Sequence, residues 1–544
     1  MREISGGLKC FAEAFRWIIW HGSGKLYGIS KCATLERGSF DGEGPGVIED
    51  VVLRSLADMT LANAERLAFD HANVEIGDEA AAIIAQGRVR FEAYLDAKGG
   101  YIYGSTTAPG SRAKVLLDAE GARRQGETVG NFIAMGAGVG GEMLPERCVR
   151  LALFARLSNS MTGCGKLRPG TVQAIVDLLR TPPKVPLQSV ACSGEVMPLS
   201  WLLEPLADLP LAIGEAMALV NGSPFATAMA CDVALTAGRR VKLAERIFAL
   251  SVEASECPAG HFDRRLADRW PDPYYKQSLD RFHELLRGST RRQLKHQAPT
   301  SWRVLPNVLA AALQSVSEVS QCAQIGLQSL KDNPTFLLSD TSRDEDLVVS
   351  GGGYHDHRAA KAIDQVTSVL MDLCVLASRQ VGHLLDGGAL GLPALLARPG
   401  DGVGLEYLAW GMTEPLASAR RAADATTLDV GLQDPAGNQS DIASLASIAY
   451  GKHRAVASSF DACFATLALT AALALDFREA PLPGALRSLG DRVGTIAKSR
   501  KRVDAVGEPL RRLHTLLRAS CEAMTSREHA EFEATPPPPG SAVA

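Results

Sequence analysis

Along much of this chain the apolar positions recur at spacings of three and four, the repeat of one face of a helix. Ile363, Val366, Leu370, Leu373 and Ala377 form such a face and predict a long amphipathic helix. Leu309, Leu313 and Val316 predict a second helix running on from Pro306, since a proline just inside a helix start lacks only an N–H that has no intrahelical partner there. Ala462 to Leu475 is a run of fourteen uncharged residues rich in alanine, which predicts a buried helix. Glycine-containing interruptions fall at 136–141, 192–194, 351–353 and 386–391. The pattern predicts a mainly α protein whose loops carry the polar chemistry.

The two ends read differently. Residues 1–46 mix glycine and charge without sustained periodicity and finish in Gly42-Glu43-Gly44-Pro45-Gly46, which predicts a loosely attached extension. Thr535 to Gly540 holds four consecutive prolines and predicts a mobile polyproline tail. The expected organisation is therefore an extension at 1–46, an N-terminal region at 47–235, a central helical bundle at 236–510, and a C-terminal helix with the proline-rich tail at 511–544.

Composition narrows the partners. Of 544 residues, 57 are Lys or Arg and 61 are Asp or Glu, a net charge of −4 that gives no bulk attraction for nucleic acid or an anionic membrane. No uninterrupted apolar stretch reaches the roughly 18 residues of a membrane span. The apolar patch Trp17–Trp20 is too short for the core of a signal peptide. The 11 cysteines are scattered, with no C-x-x-C pair, so reduced thiols in a soluble cytoplasmic protein are expected.

Three local signals lead nowhere on inspection. Gly136 to Gly141 fits G-x-G-x-x-G, yet Ser158 to Gly165 offers no Asp or Glu for a ribose, so a close-packed turn is the better reading. His355-Asp356-His357 places two histidines at i, i+2, which point apart on a helix, and reads as a polar loop rather than a metal site. Lys498 to Arg502 is basic but has no interleaved aromatics and reads as a solvated helix face.

Other segments do carry chemistry in combination. Tyr101-Ile102-Tyr103-Gly104-Ser105-Thr106-Thr107 is followed by Ala191-Cys192-Ser193-Gly194-Glu195-Val196-Met197-Pro198-Leu199, Ala218-Leu219-Val220-Asn221-Gly222-Ser223 and Gln297-Ala298-Pro299-Thr300-Ser301-Trp302-Arg303. Asp332-Asn333-Pro334, Ser350 to His355, and Gly437-Asn438-Gln439-Ser440-Asp441 come after them. In this order the blocks, spread over residues 55–500, resemble the aromatic amino acid ammonia-lyase family, which includes histidine, phenylalanine and tyrosine ammonia-lyases and related aminomutases. The resemblance implies a long antiparallel helix bundle of the fumarase/aspartase-like type, with a smaller N-terminal region bearing an electrophile. It also implies a homotetramer with each active site drawn from three chains.

The implied electrophile is methylidene-imidazolone, formed autocatalytically without metal or nucleotide. Gly194 N attacks the Cys192 carbonyl with loss of one water, and the Ser193 hydroxyl leaves as a second. Glycine permits the sharp turn this needs. The family has Ala-Ser-Gly here; cysteine supplies the same carbonyl but sets a thiol beside an electrophile. The implied reaction eliminates ammonia from an L-α-amino acid and leaves an α,β-unsaturated acid.

By resemblance Tyr103 is the base for the β-proton, which requires its phenol to fall from the ordinary pKa of about 10. Arg303 is the bidentate clamp on the substrate carboxylate. Asn221 supplies a neutral amide, Gln297 and Gln439 are polar wall residues, and Tyr354 lies against the electrophile. The departures bear on substrate. Met135 stands where histidine- and tyrosine-specific members carry histidine, which favours an aromatic or modified side chain over imidazole. Ser440 replaces a larger Glu or Gln, Thr300 replaces an active-site tyrosine, and Trp302 replaces a smaller apolar residue. An aminomutase and a non-catalytic relative remain alternatives to the lyase.

Overall fold

The computed structural model describes residues 49–98, 100–124, 141–189, 192–339, 345–402, 404–427, 441–499 and 505–534. Five helices that pack on one another form the centre of the bundle: α1 (Glu146–Met161), α2 (Pro224–Ser255), α3 (Leu305–Leu327), α4 (His357–Asp386) and α5 (Ala446–Leu475). Helix α4 packs on α5 and α3, while α2 packs on α1, α3 and α5. The apolar faces read from the sequence are the contact faces. Ile363, Val366, Leu370, Leu373 and Ala377 are fully buried, as is Leu309 of α3, with Leu313 and Val316 half-buried beside it. Helix α3 begins at Leu305 with Pro306 in its first turn, and α5 ends at Leu475.

Two segments, Glu215–Ser255 and Ala446–Leu475, are long and apolar enough by length and composition to cross a membrane, which corrects the expectation that no stretch qualifies. Their most apolar windows are 94% and 83% buried inside the protein. They sit at the centre of the bundle, where apolar residues are needed on all sides.

Charges tie the central helices together. Arg240 of α2 pairs with Asp461 of α5 at 2.9 Å with both side chains sealed from solvent. Asp232 of α2 takes Arg147 Nε of α1 at 2.6 Å and the Tyr450 hydroxyl of α5 at 2.6 Å. Such pairs gain little net stability, but losing one partner leaves a buried charge at a cost of about 3–5 kcal/mol.

Strands are few among the described residues. Val51–Leu53 (β1) pairs in parallel with Val74–Ile76 (β2), and Thr335–Leu337 (β3) pairs antiparallel with Leu347–Val349 (β4). The boundaries expected at 235/236 and 510/511 fall inside the continuous helices α2 and Gly507–Glu522.

Candidate functional site

The site is built where three short segments meet at the start of α2. The first runs through Cys192, Ser193 and Gly194. Cys192 is extended (φ −148°, ψ 166°), and the chain then reverses through two successive left-handed residues, Gly194 (φ +65°) and Glu195 (φ +52°). An L side chain in that region costs about 1–2 kcal/mol, so the turn must be held from outside. It is held at three points. Gly222 N–H donates to the Gly194 carbonyl at 3.0 Å, and Ser444 N–H donates to the Cys192 carbonyl at 3.2 Å. The buried Glu195 carboxylate accepts Phe225 N–H (2.7 Å) and Ala226 N–H (2.9 Å), capping the first turn of α2.

The second segment is Asn221-Gly222. Asn221 is 6% exposed; its carbonyl accepts from the buried Arg156 Nη1 at 2.8 Å, and Arg156 Nη2 donates to the Ala218 carbonyl. A Cβ on Gly222 would lie 2.6 Å from the Lys331 carbonyl oxygen, so only glycine lets the two strands of chain pass. The Asn221 side chain faces Gly194: a Cβ there would lie 2.8 Å from Asn221 Oδ1. That oxygen is buried and has no donor among the described residues.

The third segment is the 101–113 loop. Tyr103, Ser193, Asn221 and Tyr354 line one cavity of about 420 Å³, together with Met217, Val196 and Asn333. Tyr101 also lines it and is 71% exposed. The Gly110 N–H donates to the Tyr103 phenolic oxygen at 2.9 Å.

The acid–base state of Tyr103 departs from expectation. Burial raises its pKa and the neighbouring Tyr354 adds to this; only the Gly110 N–H works the other way. The expected fall is therefore reversed in this chain: low-dielectric surroundings disfavour the phenolate more than one amide favours it. Burial also pushes the Cys192 thiol up to about 11, so it is neutral near pH 7 and a weak nucleophile. Behind the turn, burial moves Glu195 up to about 8 and Lys331 down to about 8.

Of the residues expected in the site, Tyr103, Ser193, Asn221 and Tyr354 come together around the cavity, with Cys192 and Gly194 flanking Ser193. Gln297, Thr300 and Arg303 do not line it. Gln297 and Thr300 are exposed, and Arg303 donates to Thr300 Oγ1 at 3.3 Å while its Nε is buried without a partner. Its charge bears on Cys257 and His261 instead. Trp302 is fully buried and donates to Ser251 Oγ at 3.1 Å, a core role. Met135, Gln439 and Ser440 lie outside the described residues, as does Gly136 to Gly140.

Several contributors were not singled out beforehand. Arg150 and Arg156 are two cations inside a helix that is buried on every side from Cys148 to Met161, and a cation in a largely apolar run such as Leu151–Leu157 is a readable signal. Glu195, set between Ser193-Gly194 and the apolar Val196-Met197, carries a similar signal. Ser444 and Met217 act through a backbone amide and a packing contact, which leave no mark on sequence.

A family model described as aromatic amino acid lyase matches residues 59–208 and 202–496. The histidine ammonia-lyase of Burkholderia vietnamiensis is 26% identical over 453 residues, 77% of this chain and 87% of that protein. That of Vibrio cholerae is 26% identical over 425 residues, 72% of this chain and 81% of its own length. Among solved structures, a tyrosine aminomutase from Streptomyces globisporus aligns at TM-score 0.74 with 22% identity, covering 87% of this chain and 99% of that one. The ergothionase of Treponema denticola aligns at TM-score 0.76 with 17% identity, over 86% and 99%. At these identities the structural likenesses speak for the fold.

Proposed function

The chain belongs to the aromatic amino acid lyase family and is a carbon–nitrogen lyase, and from that premise we propose that it eliminates ammonia from an aromatic or modified L-α-amino acid. The observation that carries the reading is the turn at Ser193-Gly194. Its left-handed glycine, the Ser444 N–H on the Cys192 carbonyl and the donor-free Asn221 Oδ1 beside Gly194 suit Cys192, Ser193 and Gly194 to hold methylidene-imidazolone. That group supplies an electrophile that ordinary side chains lack and makes the substrate amine a better leaving group. The Ser444 N–H polarises the carbonyl that Gly194 N must attack for the ring to close. Being neutral near pH 7, the Cys192 thiol would leave a neighbouring electrophile unquenched.

Other residues position and move the proton. Tyr103, once ionised, takes the β-proton at its phenolic oxygen, and the Gly110 N–H that already donates there steadies the anion. Tyr354 closes the same cavity beside it. Arg303 clamps the substrate carboxylate through a bidentate pair, with Gln297 and Thr300 alongside. These three belong to the cavity of another copy in a homotetramer. The exposure of Gln297 and Thr300, the unpartnered Arg303 Nε and the absence of all three from this chain's own cavity support that arrangement. Met135, Gln439 and Ser440 complete the substrate wall in this reading.

A panel of aromatic L-amino acids tests the proposal, with ultraviolet absorbance reporting the conjugated acid and an enzymatic assay reporting ammonia. Equal release of both supports it. A β-amino acid product in place of free ammonia identifies an aminomutase, and no turnover across the panel contradicts the catalytic reading.

A further inference from the structure

Met371, Val375 and Arg379 recur every four residues along α4 and share one face of it. Leu416 and Arg420 stand at the same interval on the helix Thr413–Ala422, followed by Arg421. That helix packs mainly on α5 and touches α4 only lightly. Between the two faces lies a cleft of about 670 Å³, within the range of small-molecule sites, and it shares no lining residue with the first cavity.

The cleft is divided chemically. Its floor is apolar: Met371 is 8% exposed, and Val375 and Leu416 are half-buried. Its rim is cationic: Arg379, Arg420 and Arg421 are all exposed there. None of the three guanidiniums pairs with a carboxylate among the described residues, and Asp424 is the one acid lining the cleft. Other exposed arginines are paired, Arg264 with Asp280, Arg511 with Glu508 and Arg527 with Glu531. The C-terminal end of the helix Thr413–Ala422 gives Arg420 and Arg421 a local reason for their place. Arg379 stands well inside α4 and has no such reason. We propose that this cleft binds a small aryl carboxylate that carries no amine.

Each part of that ligand answers a part of the cleft. A surplus of positive charge around a low-dielectric floor concentrates anions, and guanidinium matches carboxylate with two parallel hydrogen bonds. An inorganic anion would leave the apolar floor in water, where burying it against an aryl ring is favourable. A free amino acid would bring its own ammonium into a rim that is already positive. The unsaturated acid released by the proposed reaction belongs to the favoured class and its substrate does not; this one consequence, a site outside the first cavity that distinguishes product from substrate, rests on that reading.

Photolabelling of the full chain with 4-benzoylbenzoate, an aryl carboxylate that inserts into neighbouring C–H bonds on irradiation, tests the site without any turnover. Peptide mapping should place the label within 371–379 or 413–424. trans-Cinnamate should compete for it and L-phenylalanine at the same concentration should not. Labelling should fall about five- to tenfold in Arg379→Ala and in Arg420→Ala, as loss of a charge-assisted hydrogen bond implies. Both arginines are exposed, so the variants are expected to fold. Label confined to the segments of the first cavity, or undiminished in both variants, overturns the proposal. So does a change of oligomeric state in the variants with labelling intact, which would make the cleft an interface between copies.

Discussion

Gly194→Ala puts the geometry of the turn to a quantitative test. At φ +65° an alanine pays the left-handed penalty of about 1–2 kcal/mol. Its methyl also lies 2.8 Å from Asn221 Oδ1, inside any normal contact. Asn221 has little freedom to retreat, because Arg156 and the Met217 carbonyl hold its backbone and only 6% of it is exposed. Overpacking of this kind costs about 1–3 kcal/mol. The sum is a loss of about 2–5 kcal/mol, read in urea unfolding as a lower midpoint at unchanged slope. Gly170→Ala is the internal control. It lies in the first turn of the helix Pro169–Leu178 with no atom within 4 Å of its added Cβ, so it should be neutral or stabilising by up to about 1 kcal/mol. The turn should also fail to cyclise, leaving the peptide at its unmodified mass. A Gly194→Ala protein within about 0.5 kcal/mol of the unaltered chain, the range of an ordinary surface change, would refute the reasoning.

Three other expectations follow from the same geometry. Tyr103→Phe and Arg303→Ala should each be inactive alone, yet co-expression should restore a fraction of activity through mixed tetramers; no recovery would place both residues in one chain's cavity. Burial holds the folded-state pKa of Glu195 near 8 against 4.5 when unfolded. Its contribution to stability is therefore complete below 4.5 and lost as pH rises through 8, a limb that Glu195→Gln should flatten; an identical slope in the variant contradicts this. With its thiol pushed up to about 11, Cys192 should react with iodoacetamide at pH 8 more than about 100-fold slower than a free cysteine, and a normal rate would show an ionised, exposed thiol.

The long helices were legible because burial in a bundle repeats every three to four residues. Ile363 through Ala377 could be read as one face, and that face proved to be the one α4 buries. The family was legible through the order of several blocks and not through Ser193-Gly194 by itself. What stayed hidden depends on tertiary approach. Gly222 is needed because the Lys331 carbonyl passes beside it, a residue more than a hundred positions away. Arg156 matters because it reaches the Ala218 and Asn221 carbonyls of another segment. The direction of the Tyr103 shift was misjudged because its sign is set by how much burial outweighs one amide, and burial is not written in a Tyr-Gly pair. The segment 297–303 could be recognised but not located, since block order does not say whose cavity a residue faces.

The central claim is that Cys192-Ser193-Gly194 is not an ordinary stretch of polypeptide in the mature protein. High-resolution mass spectrometry of the peptide spanning residues 190–199 tests it without any assumption about substrate. The account predicts a mass lower than the sequence value by two waters, one from closure of Gly194 N on the Cys192 carbonyl and one from loss of the Ser193 hydroxyl. A peptide at its full sequence mass would contradict it.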